Sequence, residues 1–434
     1  MPTLKPYPAY ADTDLPWLPK IPKHWDVQRA KWQFSDSIDK NHPEETLLSV
    51  TQGQGVVARS DAEMRVWNPG DDISGYKLVE PNEFVISLRS FEGGIEISYI
   101  RGIVSPAYVV LHPVHKEYNE YFRHLFKSRD FISLLNISTS GIRQGKNITF
   151  WDFRELSIPI PPLSEQRTIA AYLDRQTAKI DALIAKKQRL LDLLAEQRAA
   201  LISQAVTKGN ARNNVQKDNG PAPWLFPLPA GWKREKLKVN SYMKGRIGYE
   251  NLRSDEYTTE GPYLVSSAHF KDGKIEWDKC NHVTRERFEM SPDIILRKDD
   301  ILFMKDGALM GKLAYVDELP GEACLNSHLL LIRPQKKKYL PKFLLYVLMT
   351  DVFEAYMIEE RKGTTFFGFS QESMGNFPIS LPPISEQKEI CDYIDRKTKQ
   401  LDDLAAKAES VIERLREYRA ALISSVVTGK VHVK

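Results

Sequence analysis

The chain is predicted to be α+β, with two similar globular α/β domains separated by two long antiparallel helices that form a coiled coil, and with a pseudo-twofold internal repeat. Two observations predict this. The string Pro161-Pro162-Leu163-Ser164-Glu165-Gln166 returns as Pro382-Pro383-Ile384-Ser385-Glu386-Gln387, and from Pro161 to Thr207 the second copy follows at a constant shift of 221 positions, with about half of the pairs identical. Upstream, Trp17 and Trp25 pair with Trp224 and Trp232 at a shift of 207, so the second copy carries 221 − 207 = 14 more residues in its middle. Matching ends around a divergent middle describe one scaffold that carries two different recognition surfaces.

Each copy of the repeated string opens an amphipathic run. In a heptad frame the first seam is Ile169, Leu173, Ile180, Leu183, Leu190, Leu194 and Leu201, and the second is Ile390, Ile394, Leu401, Leu404, Val411, Leu415 and Leu422. Spacings of 3, 4 and 7 with charged residues between them are the pattern of a coiled-coil seam. The natural partner of each helix is the other. Ser164 and Ser385 are expected N-caps, Glu165 and Glu386 suit the positive end of the first turn, and Gly209 and Gly429 mark the stops. From Ser164 to Val206 such a helix is roughly 65 Å long, too long for one compact domain.

The expected order is a first domain at 1–160, a first helix at 161–207, a linker at 208–223, a second domain at 224–381, and a second helix with the C-terminal tail at 382–434. The linker is rich in Gly, Asn, Lys and Pro. β-rich runs bounded by Gly, Pro and Asp fall at Phe84–Ser87, Ile95–Ile100 and Ala107–Leu111 in the first domain. Ile301–Met304, Leu313–Val316 and Leu329–Ile332 are their counterparts. An aromatic helix follows each set, with Tyr118 and Phe122 answering Tyr339 and Phe343.

With 434 residues there is room for two or three cores. A formal charge of +4 permits a polyanionic partner without requiring one. Cys280, Cys324 and Cys391 share no metal-ligand spacing and are expected to be free thiols in a reducing cytosol, with no metal bound. The N-terminus lacks a signal-peptide core and no apolar run approaches a membrane span, so a cytoplasmic protein without membrane contact is expected.

The chain resembles the specificity subunits of Type I restriction-modification systems. The residues that carry the resemblance are the Trp17 to Trp25 opening, Ser87-Leu88-Arg89-Ser90-Phe91-Glu92-Gly93-Gly94, Gly102-Ile103-Val104-Ser105-Pro106-Ala107-Tyr108, and above all the twice-used Pro-Pro-x-Ser-Glu-Gln helix. It implies two target-recognition domains, each reading half of a bipartite, asymmetric site in double-stranded DNA. It also implies a helical spacer that docks two modification (methyltransferase) subunits, which two restriction subunits can join. The chemistry then belongs to those chains: S-adenosylmethionine and base flipping in the modification subunit, ATP and Mg in the restriction subunit. No cofactor is expected in this chain.

For DNA contact the first choices are Arg89 and the loop residues Arg143, Gln144, Lys146 and Asn147. Lys305, Arg361, Lys362, Thr364 and Thr365 are the counterparts in the second domain. Arg and Gln can hydrogen-bond guanine and adenine edges bidentately, while Lys suits phosphate. A solvated basic loop is the bland alternative at each. Phe366, Phe367 and Phe369 are read as packing rather than stacking on DNA, and Trp25 and Trp232 as scaffold core. No phosphate loop, cofactor loop or nuclease cluster is found, so no catalytic residue is assigned and the chain is read as a non-catalytic subunit. The competing readings are a standalone DNA-modifying enzyme with an unrecognised centre, and a coiled-coil scaffold with no DNA role.

Overall fold

The structure is a computed structural model that describes residues 5–52, 54–62, 73–87, 93–115, 119–137, 148–209, 222, 224–245, 256–335, 337–361 and 368–433. The chain divides into two compact units, Met1–Gln188 with Glu409–Lys434, and Arg189–Ala408. That division runs through both long helices, Leu163–Lys208 and Ile384–Val427, so each unit holds one domain, half of its own helix and half of the other.

The first unit contains a four-stranded antiparallel sheet in the spatial order Phe34–Ser37, Val109–Pro113, Phe84–Ile86, Glu96–Ile97. The second repeats that order with Ser241–Gly245, Leu329–Pro334, Ile301–Met304 and Leu313–Tyr315. A second shared ladder ties the start of each domain to its end: Asp26–Arg29 pairs with Ser157–Ile160, and Lys233–Lys236 with Pro378–Leu381. These strands place the 14 extra residues. The shift is 207 from Phe34 to Ser241, 217 from Phe84 to Ile301, 218 from Ile97 to Tyr315 and 221 from Leu111 to Ile332, so ten residues enter before the third of these strands, one within the hairpin and three after it. The middle also pairs differently. Gly102–Val104 runs antiparallel to Lys77–Val79, whereas Ala323–Leu325 runs parallel to part of Tyr257–Val265.

Aromatic rings fill each core, because they bury large areas and pair edge to face. Phe34, Phe84, Phe122, Phe126 and Phe153 pack in the first unit; Phe303, Phe353, Phe369 and Phe377 pack in the second. Phe122, Tyr339 and Phe343 are buried, and Tyr118 lies outside the described residues. Trp25 and Trp232 are buried too. The three cysteines are buried and form no disulfide, and burial pushes the Cys280 and Cys391 thiols up to about 12. Among the described residues no helix is long and apolar enough to cross a membrane.

Two details of the helices differ from the sequence reading. The helices begin at Leu163 and Ile384, so Ser164 and Ser385 sit inside the first turn rather than capping it. Pro162 O accepts from the Glu165 and Gln166 amides at 2.9 Å, and Pro383 O from the Gln387 amide at 2.9 Å. Proline suits this position because it lacks the N–H that a helix start would leave unpaired.

The seam also differs. Ile169, Leu173, Ile180, Leu194, Ile390, Ile394, Leu401 and Leu422 are buried, and Leu201 and Leu415 are half-buried. Leu183, Leu190, Leu404 and Val411 instead lie 46%, 38%, 50% and 38% exposed. The inward positions fall one residue later, at Ile184, Leu191, Ala405 and Ile412. With these the spacing becomes a regular alternation of 4 and 3, through Thr177, Lys187 and Arg198 in the first helix and Thr398, Ala408 and Arg419 in the second. Adjacent apolar pairs such as Leu190-Leu191 made the frame ambiguous by one position, and the polar inward residues hid the true alternation.

Within the second unit the helix halves run antiparallel. Arg198 pairs with Asp402 at 3.3 Å, while further along Ile202, Ala205 and Val206 share a core with Ile394 and Ile390. The first unit repeats this from the other halves: Arg419 Nε donates to Asp181 at 2.9 Å, and Leu422, Ile423, Val426 and Val427 share a core with Ile169, Leu173 and Ile180. Asp181 and Arg198 stand 221 positions before Asp402 and Arg419, so one ion pair is made twice.

Candidate nucleic-acid interface

The repeated Pro-Pro-x-Ser-Glu-Gln string is a fastening between domain and helix. Gln166 is buried and its Nε2 donates to Pro161 O at 2.8 Å. Gln387 is buried too; its Nε2 donates to Pro382 O and Lys338 O at 3.0 Å, and its Oε1 accepts from the Leu340 amide at 2.8 Å. Glu165 accepts from Tyr7 Oη and from Trp25 Nε1 at 3.1 Å, and lies 2.7 Å from His24 Nε2. Burial and the neighbouring carboxylate push the Tyr7 phenol well above its usual range. The sequence offered Glu165 only a place at the helix dipole; its role as the anchor of the N-terminal segment was not legible, because its partners lie far away in the chain.

The helix stops are fastened as well. Gly209 and Gly429 take positive φ of 71° and 70°. A Cβ on Gly209 would lie 3.4 Å from the Trp232 ring and one on Gly429 would lie 3.2 Å from the Trp25 ring. Each domain is thus closed by the end of the other repeat's helix.

With the scaffold held in this way, each sheet ends in loops, where a rigid support presents variable side chains. In the second unit the loop after Met304, the turn before Leu329 and the chain at Gly368 meet. The Lys305 amide donates to His328 O at 3.0 Å, the Phe369 amide donates to Lys305 O at 2.7 Å, and Asp306 bridges Gly368. A Cβ on Gly245 would lie 3.4 Å from Lys305 Nζ, so the ammonium sits beside the end of the neighbouring strand. His328 Nδ1 lies 2.5 Å from Asp306 Oδ1. Arg361 is exposed at the end of the helix Asp351–Glu360, its amide bonded to Met357 O at 3.0 Å. Phe369 is buried among Phe303, Phe353 and Tyr356, packing as expected.

Of the predicted contacts, Lys305 and Arg361 are therefore described, and Lys305 lies in the loop cluster. Arg89, Arg143, Gln144, Lys146, Asn147, Lys362, Thr364 and Thr365 lie outside the described residues, as do Phe366 and Phe367. His328 joins this cluster from the turn before Leu329, and it stands where the first repeat has Ala107. Among the described residues no group of three or more His, Cys, Asp or Glu side chains could hold a metal ion.

The chain is 22% identical over 322 residues to the Type I restriction enzyme EcoBI specificity subunit of Escherichia coli, covering 72% of this chain and 66% of that one. It is 23% identical over 365 residues to the MjaVIII specificity subunit of Methanocaldococcus jannaschii, covering 82% and 81%. Among solved structures, a chain from work on complex assembly and conformational transition of the type I R-M system superposes with a TM-score of 0.68 at 18% identity, covering 94% of this chain and 98% of the other. The HsdS subunit from Thermoanaerobacter tengcongensis gives 0.51 at 18% identity, covering 95% and 98%. At such identity these structures establish the fold. Residues 78–192 and 244–414, more than half of the chain and drawn from both repeats, match the profile of the Type I restriction modification DNA specificity domain, and the chain belongs to that family.

Proposed function

We propose that this chain is the DNA-reading, non-catalytic subunit of a Type I restriction-modification complex. Each domain reads one half of a bipartite asymmetric site, and the paired helices hold the readers apart and dock two modification subunits, through which restriction subunits join. S-adenosylmethionine is then used by the modification subunit, and ATP and Mg by the restriction subunit. One observation carries this reading: the same sheet order and the same end-to-end ladder are built twice, while the loop ends carry different residues. A repeated frame with unlike loop ends suits two unlike half-sites, and an unread spacer between them follows from fixed geometry rather than base contact.

Methylation mapping in a host that carries this chain and its neighbouring modification gene tests the proposal. The expected result is one asymmetric motif in two parts. Methyl transfer or cleavage by the purified chain alone would overturn it. So would a lack of DNA affinity at low salt with the modification subunit present, since phosphate contacts are strongest there.

A further inference from the structure

The two repeats build one turn and then place different residues on it. In the first, the Ala107 amide donates to Ser105 Oγ at 3.3 Å and the Tyr108 amide to Ser105 O at 3.0 Å. In the second, the His328 amide donates to Asn326 Oδ1 at 3.2 Å and the Leu329 amide to Asn326 O at 3.3 Å. Ser105 and Ala107 stand 221 positions before Asn326 and His328, so one side-chain-capped turn presents Ala at its tip in one domain and His in the other.

The neighbouring loop changes in step. Carried on in sequence from the preceding strands, the shift of 217 aligns Asp306 with Arg89. A lone carboxylate at a DNA surface would repel phosphate, but this one is engaged, 2.5 Å from His328 Nδ1. Asp306 is 21% exposed and His328 54%, so the acid lies beneath the ring. Lys305 and Gly368 clamp the same loop through backbone bonds.

We infer that His328, oriented by Asp306, reads a base edge in the second half-site, an assignment that rests on the DNA-reading role proposed above. The carboxylate keeps the hydrogen on Nδ1 and fixes the ring plane. Nε2 is then the atom that meets a base, accepting from the exocyclic amine of adenine or cytosine, or donating to guanine N7 or O6 when the ring is charged. Phosphate contact is the competing role for the same ring, and it differs in outcome because it carries no sequence information.

The test uses the full chain assembled with its modification subunit. Binding is competed against single-base variants of the mapped site, for wild type, His328→Ala and Asp306→Asn. His328→Ala should lose about tenfold in discrimination at one base pair of the second half-site and none in the first, the scale of a direct base contact. Asp306→Asn should weaken discrimination at the same base pair, which carries the test should the alanine variant unfold. An equal loss against every sequence, as for a phosphate contact, would overturn the assignment, and so would an unchanged profile. A wild-type complex with no sequence preference would sink the DNA-reading role itself, whereas wild-type preference retained in both variants would sink only the assignment of His328.

Discussion

Beneath the sheet of the first unit, Glu83 is 4% exposed and lies 2.7 Å from His112 Nδ1. At the matching place in the second unit Asp300 is fully buried and takes Arg333 through both carboxylate oxygens at 2.7 Å. Each acid also accepts the amide three residues back, Glu80 N at 2.8 Å and Arg297 N at 2.6 Å. Each follows a residue in the left-handed region, Asn82 at φ 72° and Asp299 at φ 75°. Both residues of the pair have changed while the role has stayed. The groove beside the hairpin behaves differently. In the first unit it is a space of 540 Å³ whose wall carries Gln52, Gln54, Glu96, Arg123, His124 and Lys127 beside Ile95, Ile97 and Ile423; in the second it is 450 Å³ and more apolar, with Met310, Leu313, Leu345, Leu348, Phe353 and Met357 beside Lys312, Thr350 and Glu354. Positions tied to backbone geometry keep their function through substitution, whereas groove positions are free to change chemistry. A partner that engaged both repeats alike would find matching surfaces on the 221-related helices and not in these grooves.

The largest effect expected from this equivalence comes from cutting the chain after Gly209. The first unit then loses Leu422, Ile423, Val426 and Val427 from its core, together with Arg419 opposite Asp181. Each buried aliphatic side chain contributes roughly 1.5–3 kcal/mol, so the fragment cannot leave that face open. A second copy offers Leu201, Ile202, Ala205, Val206 and Arg198 at the corresponding positions. The fragment is therefore expected to be a homodimer that reads an inverted repeat of the first half-site. Sedimentation checks it, and a soluble monomer would break the equivalence of the two helices.

Smaller, and aimed at the buried acids, is a pair of substitutions. Arg333→Met strips Asp300 of its charged partner inside the protein and should cost about 3–5 kcal/mol, the usual loss when one member of a buried ion pair is removed. The Arg333 Nη2 bond to Ile295 O at 2.8 Å is lost with it. His112→Gln should cost about 1 kcal/mol, because that ring is 45% exposed and a neutral donor can still reach Glu83. Urea unfolding of both variants measures the difference, and equal costs would show that the two sites are not the unlike versions of one device described above.

How much of this was legible without coordinates varies by region for physical reasons. The helices were, because leucine periodicity and a constant shift are local signals. Strand positions were legible where apolar runs met Gly, Pro or Asp, as at Ile301–Met304. The seam was misplaced at Leu183, Leu190, Leu404 and Val411 because neighbouring apolar residues are equivalent in hydropathy and only packing separates them. The partners of Glu165 and of Asp300 were not legible, since hydrogen bonds between distant residues leave no periodic mark. Lys305 stands out by its charge alone, whereas the pairing of His328 with Asp306, 22 residues apart, leaves no mark in the sequence.

The smallest effect sharpens the contrast between the grooves. His124 is 8% exposed, and its Nε2 lies 2.9 Å from Asp174 Oδ1. Burial first and the Arg123 charge second push its imidazole down to about 4, with Arg419 adding in the same sense and Asp174 opposing. Between its ordinary value near 6.5 and about 4, the unfolded chain takes up a proton that the folded chain refuses. Folding stability is therefore fully present above pH 6.5 and is lost as pH falls toward 4, by at most about 3 kcal/mol. The second repeat has Leu345 at this position and no such group. His124→Leu should leave stability at pH 7 within about 1 kcal/mol of wild type, since Arg123 still pairs with Asp174, and should flatten this part of the acid slope. Urea midpoints at pH 7 and pH 4.5 measure it. An acid slope that survives the substitution undiminished would place the titrating group elsewhere, and the polar groove would then differ from its apolar counterpart in lining but not in its response to acid.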